Sequence, residues 1–347
     1  MKIVNMASTA RWIYVCIVSG LFSSAVFAEE ALTEVSDPVT EPAIEQCVLG
    51  KFKSQDRPQT FKKLQQTCQS ELAATGNQSA YEIRISAEKN EAFNPHVMLP
   101  HKMNYLLPIS TTDNVNREVY QFTGDYGDNL KSTEAEFQIS FKIPLVSEGL
   151  FSDDDGLAFG FTLQSWWQLY AQEISRPFRE TNYQPEIFYY TPLSWQPAGG
   201  DTNLTVGFEH QSNGRSQLLS RSWNRLYAIF TFAKDDYVIA FRPWWKIPEG
   251  DKVTTIHESA NDNPDIADYM GHFELMGAYQ WGSLEFSLKG RENFSTHKGS
   301  LELGMTFPLT GRLKGFLQYS NGYGESLIDY DHSQQRIGIG FALTDIF

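Results

Sequence analysis

Residues 134–145 read EAEFQISFKIPL. Phe137, Ile139, Phe141, Ile143 and Leu145 alternate with Glu136, Gln138, Ser140 and Lys142. Successive side chains of a strand point to opposite faces, so this stretch carries one apolar and one polar face. Leu301, Leu303, Met305, Phe307 and Leu309 repeat the pattern, as do Ile337, Ile339, Phe341 and Leu343. Working outward, period-two segments fall at 102–109, 134–145, 157–170, 186–193, 203–212, 223–233, 236–247, 267–281, 283–293, 298–309, 313–324 and 335–347. Twelve is an even number, and several segments are long enough to cross a bilayer when tilted. With both termini on the inner side, the turns at 234–235, 282 and 310–312 are short inner ones. The stretches 110–133, 171–185, 213–222, 248–266 and 325–334 are then longer outer loops, the usual asymmetry of outer-membrane barrels. Two connections break it: 146–156 is a long inner one and 294–297 a short outer one. A soluble β-sandwich also alternates, but it does not account for strand length and loop asymmetry together. The expected fold is all-β: a twelve-stranded antiparallel transmembrane β-barrel over residues 95–347, preceded by a periplasmic extension.

The chain has 347 residues, with 28 basic against 42 acidic side chains and a formal charge of −14. A general nucleic-acid binder needs a clustered positive field, so that class is excluded. Past residue 28 there is no apolar run of about 18 residues, the minimum for a spanning helix. Residues 1–28 read as a secretory signal: Lys2 and Arg11 begin it, Trp12 to Val18 form its apolar centre, and Val26-Phe27-Ala28 precede a cleavage point. Residues 29–94 form a separate periplasmic extension, with Glu and Pro frequent in 29–46 and a strand-like alternation at Tyr81, Ile83 and Ile85. Cys47 and Cys68 remain after cleavage, an even pair that suggests one disulfide in an oxidising compartment, with two free thiols the alternative.

Residues 203–212 read NLTVGFEHQS. Leu204, Val206, Phe208, His210 and Ser212 share one parity, opposite to Glu209 and Gln211. The apolar parity must face lipid, so His210 and Ser212 should project from the outer wall near the external end of their strand. Asn224 shares parity with Leu226, Ala228, Phe230 and Phe232 on the next strand, again the lipid side. Polar side chains on that face are costly and mark function. An imidazole can take the serine proton and activate the oxygen as a nucleophile, and an amide on the other ring nitrogen can fix the tautomer. An amide brings no negative charge, which points to a cation. The loop SNGRSQLLSRS (212–222) is rich in hydroxyls and free carbonyls, the hard oxygen ligands that calcium favours. Alone, His210 would read as an interfacial histidine and Ser212-Asn213-Gly214 as a turn.

The stretches HQSNGRSQLLSRSWNR (210–225), SRPFRETNYQP (175–185), NPDIADYMG (263–271) and YSNGYGESLIDY (319–330) resemble the outer-membrane phospholipase A family, over roughly residues 95–347. The resemblance implies a bacterial outer-membrane enzyme that hydrolyses phospholipid acyl esters with Ca²⁺, active as a homodimer. By motif match it makes His210 the base, Ser212 the nucleophile and Asn224 the orienting amide, with the Gly214 N–H in the oxyanion hole. It puts the calcium ligands on Ser220, on the Arg215 carbonyl and on Ser175 of the partner subunit. The chain departs from the family at Leu163, where an interface glutamine is expected, and at Gln217, where a second calcium site has an acidic residue that Asp262 matches at its other position.

Asp153-Asp154-Asp155 read as solvated loop residues, as do Asp262, Asp265 and Asp268, with a minor calcium role for the last three as the alternative. Trp166, Trp167, Trp195, Trp244 and Trp245 read as interfacial girdles, and Arg179 with Glu180 as a buried lumen pair. The rival from another class is a non-enzymatic porin. Glu136, Gln138, Lys142, Gln164, Gln168, Glu209, Arg225 and Arg242 all point inward, and whether they close the lumen discriminates the two.

Overall fold

The structure is a computed structural model that describes residues 48, 81, 84, 85, 87, 88 and 98–344, apart from 148, 153, 251–260 and 312. The chain divides into two compact units, Met1–Leu72 and Ala73–Phe347. The signal at 1–28, the residues Cys47 and Cys68, and Phe347 lie outside the described residues.

Thirteen strands form one sheet: β1 (Leu99–Pro100), β2 (Asn104–Thr112), β3 (Thr133–Ser147), β4 (Gly156–Trp167), β5 (Phe178–Leu193), β6 (Asp201–Ser212), β7 (Ser222–Lys234), β8 (Tyr237–Lys246), β9 (Phe273–Trp281), β10 (Leu284–Asn293), β11 (Lys298–Thr310), β12 (Leu313–Tyr323) and β13 (Ser333–Thr344). Strands β2 to β13 pair antiparallel with their sequence neighbours, and β13 pairs with β2, so the sheet closes into a twelve-stranded barrel. The two-residue β1 adds to the β3 edge at Phe141 and Lys142. Closure leaves no backbone edge to lipid, where an unpaired N–H or C=O has no water to bond. No helix among the described residues is long and apolar enough to cross a membrane, so the strands are the spanning elements.

Burial is inverted relative to a soluble protein. Ile139, Val206, Phe208, Leu226, Phe230, Ile239 and Ile337 are exposed, whereas Glu134, Glu136, Arg179, Glu209, Arg225, Arg242 and Arg336 are buried. The apolar parity faces out and the charged parity faces in, as a lipid-immersed barrel demands.

The lumen is filled. Glu209 bonds Arg225 and Arg242 and accepts a hydrogen bond from Gln184. Arg179 lies 2.9 Å from Glu134 through Nη2 and 2.7 Å from Asp329 through Nη1. Arg336 bridges Glu134, at 2.9 Å, and Glu325. Burial alone would raise the Asp329 carboxyl, but Arg179, Ser326 and Asn116 together hold it below the usual carboxylate range. A short helix, α1 (Ile266–Met270), caps this end, its Ile266 and Met270 packing with Trp223, Trp244, Leu327 and Tyr330. Ion pairs this dry are not a stability gain over an apolar core, but breaking one leaves a bare charge at high cost. Of the inward-pointing residues named for the porin alternative, Glu209 pairs with Arg225 and Arg242, Gln164 donates to Glu136 and Gln168 to Glu134, whereas Lys142 pairs with Glu88 and Gln138 donates to the Met103 carbonyl.

Several expectations are corrected. β5 begins at Phe178, eight residues before its predicted start at 186, and a register shift opposite Trp166 and Trp167 turns both Arg179 and Glu180 inward. Arg179 pairs with Glu134 and Asp329 rather than with Glu180, which accepts from Asn182 at 2.8 Å and faces Arg215 at 3.9 Å. Residues 267–270, predicted as strand, belong to α1. Tyr81 and Ile85 are helical rather than strand-like. Trp166 and Trp244 are buried; Trp195, Trp245 and Trp281 are the exposed tryptophans of the wall and its ends. Asp155 is also buried, capping its turn through the N–H groups of Leu150, Phe151 and Ser152.

Candidate functional site

The site sits at the external ends of β6 and β7. In their register His210 is directly opposite Asn224, and Ser212 is opposite Ser222. Leu204, Val206 and Phe208 run down one face of β6 below His210, and Leu226 and Phe230 run down β7 below Asn224. His210, Ser212 and Asn224 are half-buried on this outer wall, as the parity predicts. The Glu209 side chain, one residue away, turns into the lumen and is fully buried between two guanidiniums. That ion cluster pins the β6 backbone from the inside while the site faces out.

His210 Nδ1 lies 2.9 Å from Asn224 Oδ1. An amide oxygen only accepts, so Nδ1 carries the proton and Nε2 is left with its lone pair. Ser212 is two residues along the same face, about 6.6 Å at strand spacing. Among the described residues it makes no hydrogen bond to His210. The structure therefore joins His210 and Asn224 directly and puts Ser212 on the same face, without closing the third contact.

The loop after Ser212 is held by Asn213, which is buried. Its Oδ1 accepts from the Arg215 and Arg221 N–H groups at 3.2 and 3.0 Å, and its Nδ2 donates to the Leu219 carbonyl at 2.8 Å. The sequence reading saw in Asn213 only a turn residue. Gly214 has φ +63°, and a Cβ there would come within 3.3 Å of the Tyr183 ring. A side chain would be strained in backbone and crowded in space, so the position favours glycine.

Ser220 and Arg215 belong to this loop, and Ser175 lies on another, between β4 and β5, exposed and with φ +61°. Ser220 Oγ donates to Asp262 Oδ2 at 2.6 Å, and Ser222 Oγ reaches the same oxygen at 3.3 Å. Asp262 is therefore built into the loop neck rather than solvated as expected. The Arg215 guanidinium donates to the Phe178 and Arg179 carbonyls at 3.1 and 2.6 Å, which ties the loop to the start of β5. Hydroxyl, carbonyl and carboxylate oxygens are donors of the hard type that suits calcium. Among the described residues no group of three or more His, Cys, Asp or Glu side chains gathers to hold a metal ion. Leu163 lies on the outer face of β4, between Ile139 and Tyr183 in register.

One further contact was invisible in the sequence. Asn224 Nδ2 donates to Glu249 Oε1 at 2.7 Å, a residue just past the end of β8.

Comparison with known proteins places these features. The phospholipase A1 family model matches residues 82–343. Phospholipase A1 of Klebsiella pneumoniae is 39% identical over 255 residues, covering 73% of this chain and 85% of its own. An active-site mutant of the Escherichia coli outer membrane phospholipase A superposes with a TM-score of 0.70 at 36% identity, over 78% of this chain and 100% of that one. The Salmonella typhi outer membrane phospholipase, solved as a dimer with bound calcium, gives a TM-score of 0.68 at 37% identity, over 75% and 97% of the two chains. With a family match spanning the whole barrel, and relatives that share both its sequence and its closed fold, the chain belongs to the phospholipase A1 family.

Proposed function

We propose that the protein is a calcium-dependent phospholipase of the outer membrane, and that Ser212 attacks the acyl esters of phospholipids in the outer leaflet. The observation that carries this is the outward His210–Asn224 hydrogen bond of 2.9 Å, with Ser212 on the same face of the same strand. His210 Nε2 takes the proton from Ser212 Oγ as the oxygen adds to the ester carbonyl. The imidazolium is held by Asn224 Oδ1, and it returns the proton to the departing lysophospholipid oxygen. Water, deprotonated by the same nitrogen, then releases the fatty acid from the serine ester. The Gly214 N–H lines the oxyanion hole. The acyl chain stays in lipid against Phe208 and Leu226, so the substrate never has to leave the membrane.

Ser220 Oγ and the Arg215 carbonyl would hold calcium, with Ser175 of the partner subunit completing the set and Asp262 close by. When bound, the ion supplies positive charge to the developing oxyanion. Ligands divided between two copies would couple activity to a homodimer, whose face includes Leu163. Residues 1–28 serve as the export signal and 29–94 as the periplasmic extension in this assignment.

Fatty-acid release from phospholipid–detergent micelles tests it. Full activity with calcium, loss with EDTA and loss in Ser212→Ala are the expected results; release that survives either treatment overturns the assignment.

A further inference from the structure

Asn224 bonds on both sides. Its Oδ1 faces His210 Nδ1 at 2.9 Å and its Nδ2 faces Glu249 Oε1 at 2.7 Å. Glu249 is half-buried and follows β8 by three residues. Two backbone hydrogen bonds bracket it: the Ile247 N–H to the Asn224 carbonyl, and the Asn261 N–H to the Gly250 carbonyl, each at 2.9 Å. The first aligns this segment with β7 beside Asn224. The second closes the neck of the loop one residue beyond Glu249. The carboxylate is therefore delivered to the amide by backbone structure rather than by a free loop.

The geometry points to Glu249 as a positioning residue for the lipase reaction, acting on His210 through Asn224. This rests on the assignment of His210, Ser212 and Asn224 given above. An ionised carboxylate only accepts hydrogen bonds, so it must face the amide nitrogen. Flipping the amide would set its oxygen against the carboxylate and its N–H₂ against the protonated Nδ1, losing both bonds at once. Glu249 thereby selects the amide orientation that keeps a proton on Nδ1 and a lone pair on Nε2. It also adds the negative charge that an amide lacks. When Ser212 attacks, positive charge forms on the imidazole, and the carboxylate stabilises it through a polarised chain of two hydrogen bonds. Lys246 on the same segment directs its Nζ to the Asn263 carbonyl at 2.9 Å and Asn261 Oδ1 at 3.3 Å, with Glu249 near enough to act on it electrostatically.

The role is tested in the purified full-length protein, folded in detergent micelles with calcium and phospholipid, with heat-modifiable gel mobility confirming a closed barrel. Glu249→Gln, Glu249→Ala and Glu249→Asp are compared in the native and in the Asn224→Ala backgrounds, with Ser212→Ala alongside. Loss of one charge-assisted hydrogen bond should lower kcat about tenfold in the Gln and Ala variants, with KM within about twofold. Glu249→Asp should recover most of the rate. In the Asn224→Ala background Glu249→Gln should change nothing further, because the path to His210 is already cut. A Glu249→Gln enzyme within twofold of native kcat overturns the role, as does a loss confined to KM or one equal in both backgrounds. If Ser212→Ala itself stays active, the catalytic assignment has failed instead, which separates the two.

Discussion

Glu209 and His210 are consecutive residues that face opposite sides of one wall: the first is fully buried among lumen guanidiniums, the second bonds Asn224 on the outside. A lipid-facing polar site needs a backbone that does not shift, and here the lumen supplies it. Replacing Glu209 by Leu would leave Arg225 and Arg242 without their shared carboxylate. We expect a loss of about 3–5 kcal/mol in barrel stability, the usual cost of breaking a buried pair. Urea unfolding followed by tryptophan fluorescence measures it.

The lumen lattice bears on transport as well. Arg179 and Arg336 tie β3, β5 and β13 to the loop carrying Glu325 and Asp329 across the barrel interior. Planar-bilayer recordings should show no steady channels from the native protein. Arg179→Met should lower the thermal unfolding midpoint, because it leaves buried Asp329 without its counter-charge and Glu134 with Arg336 alone.

Asn224 Oδ1 lies 2.9 Å from His210 Nδ1, and the proposed mechanism has it fix the tautomer of the ring. Asn224→Ala should keep the fold and lower kcat by about 10- to 100-fold, the value of a hydrogen bond to a group that becomes charged. Steady-state hydrolysis in mixed micelles gives the number.

Asp155 caps the turn between β3 and β4. Burial raises its carboxyl, but the Phe151 N–H, the Tyr189 hydroxyl and the Leu150 and Ser152 N–H groups outweigh it and bring the value to about 2, from 3.8 when unfolded. The unfolded chain therefore binds more protons between these two values. Its contribution is present above about pH 4 and is lost as pH falls toward about 2. Urea midpoints measured from pH 5 down to pH 2 should fall for the native protein and be flatter for Asp155→Asn.

Asp262 Oδ2 accepts from both Ser220 and Ser222. Asp262→Ala should weaken calcium activation, shifting the half-activating concentration upward by about tenfold or more, the scale on which supporting ligands act. A calcium titration of hydrolysis reads the shift.

The barrel was legible because lipid imposes strict parity on every spanning strand, and Phe137 to Leu145 obey it. The start of β5 was not. Arg179, Glu180 and Asn182 are all buried polar residues, so a register shift and a polar lumen erase the alternation there. Residues 267–270 of α1 were read as strand because positions four apart, such as Ile266 and Met270, share one face in a strand as well as in a helix, so parity does not separate the two. That His210, Ser212 and Asn224 share the outer face was readable, since parity and cross-strand register are local. Glu249 meets Asn224 just past the end of the β7–β8 hairpin, beyond the last paired residue of β8, where alternation no longer marks a contact.

Reaction with a long-chain alkylsulfonyl fluoride, followed by peptide mass spectrometry, tests the central assignment most directly. We expect one covalent adduct, on Ser212, formed in step with loss of hydrolysis and abolished in Ser212→Ala. An enzyme inactivated with Ser212 unmodified, or labelled at another residue, would contradict it.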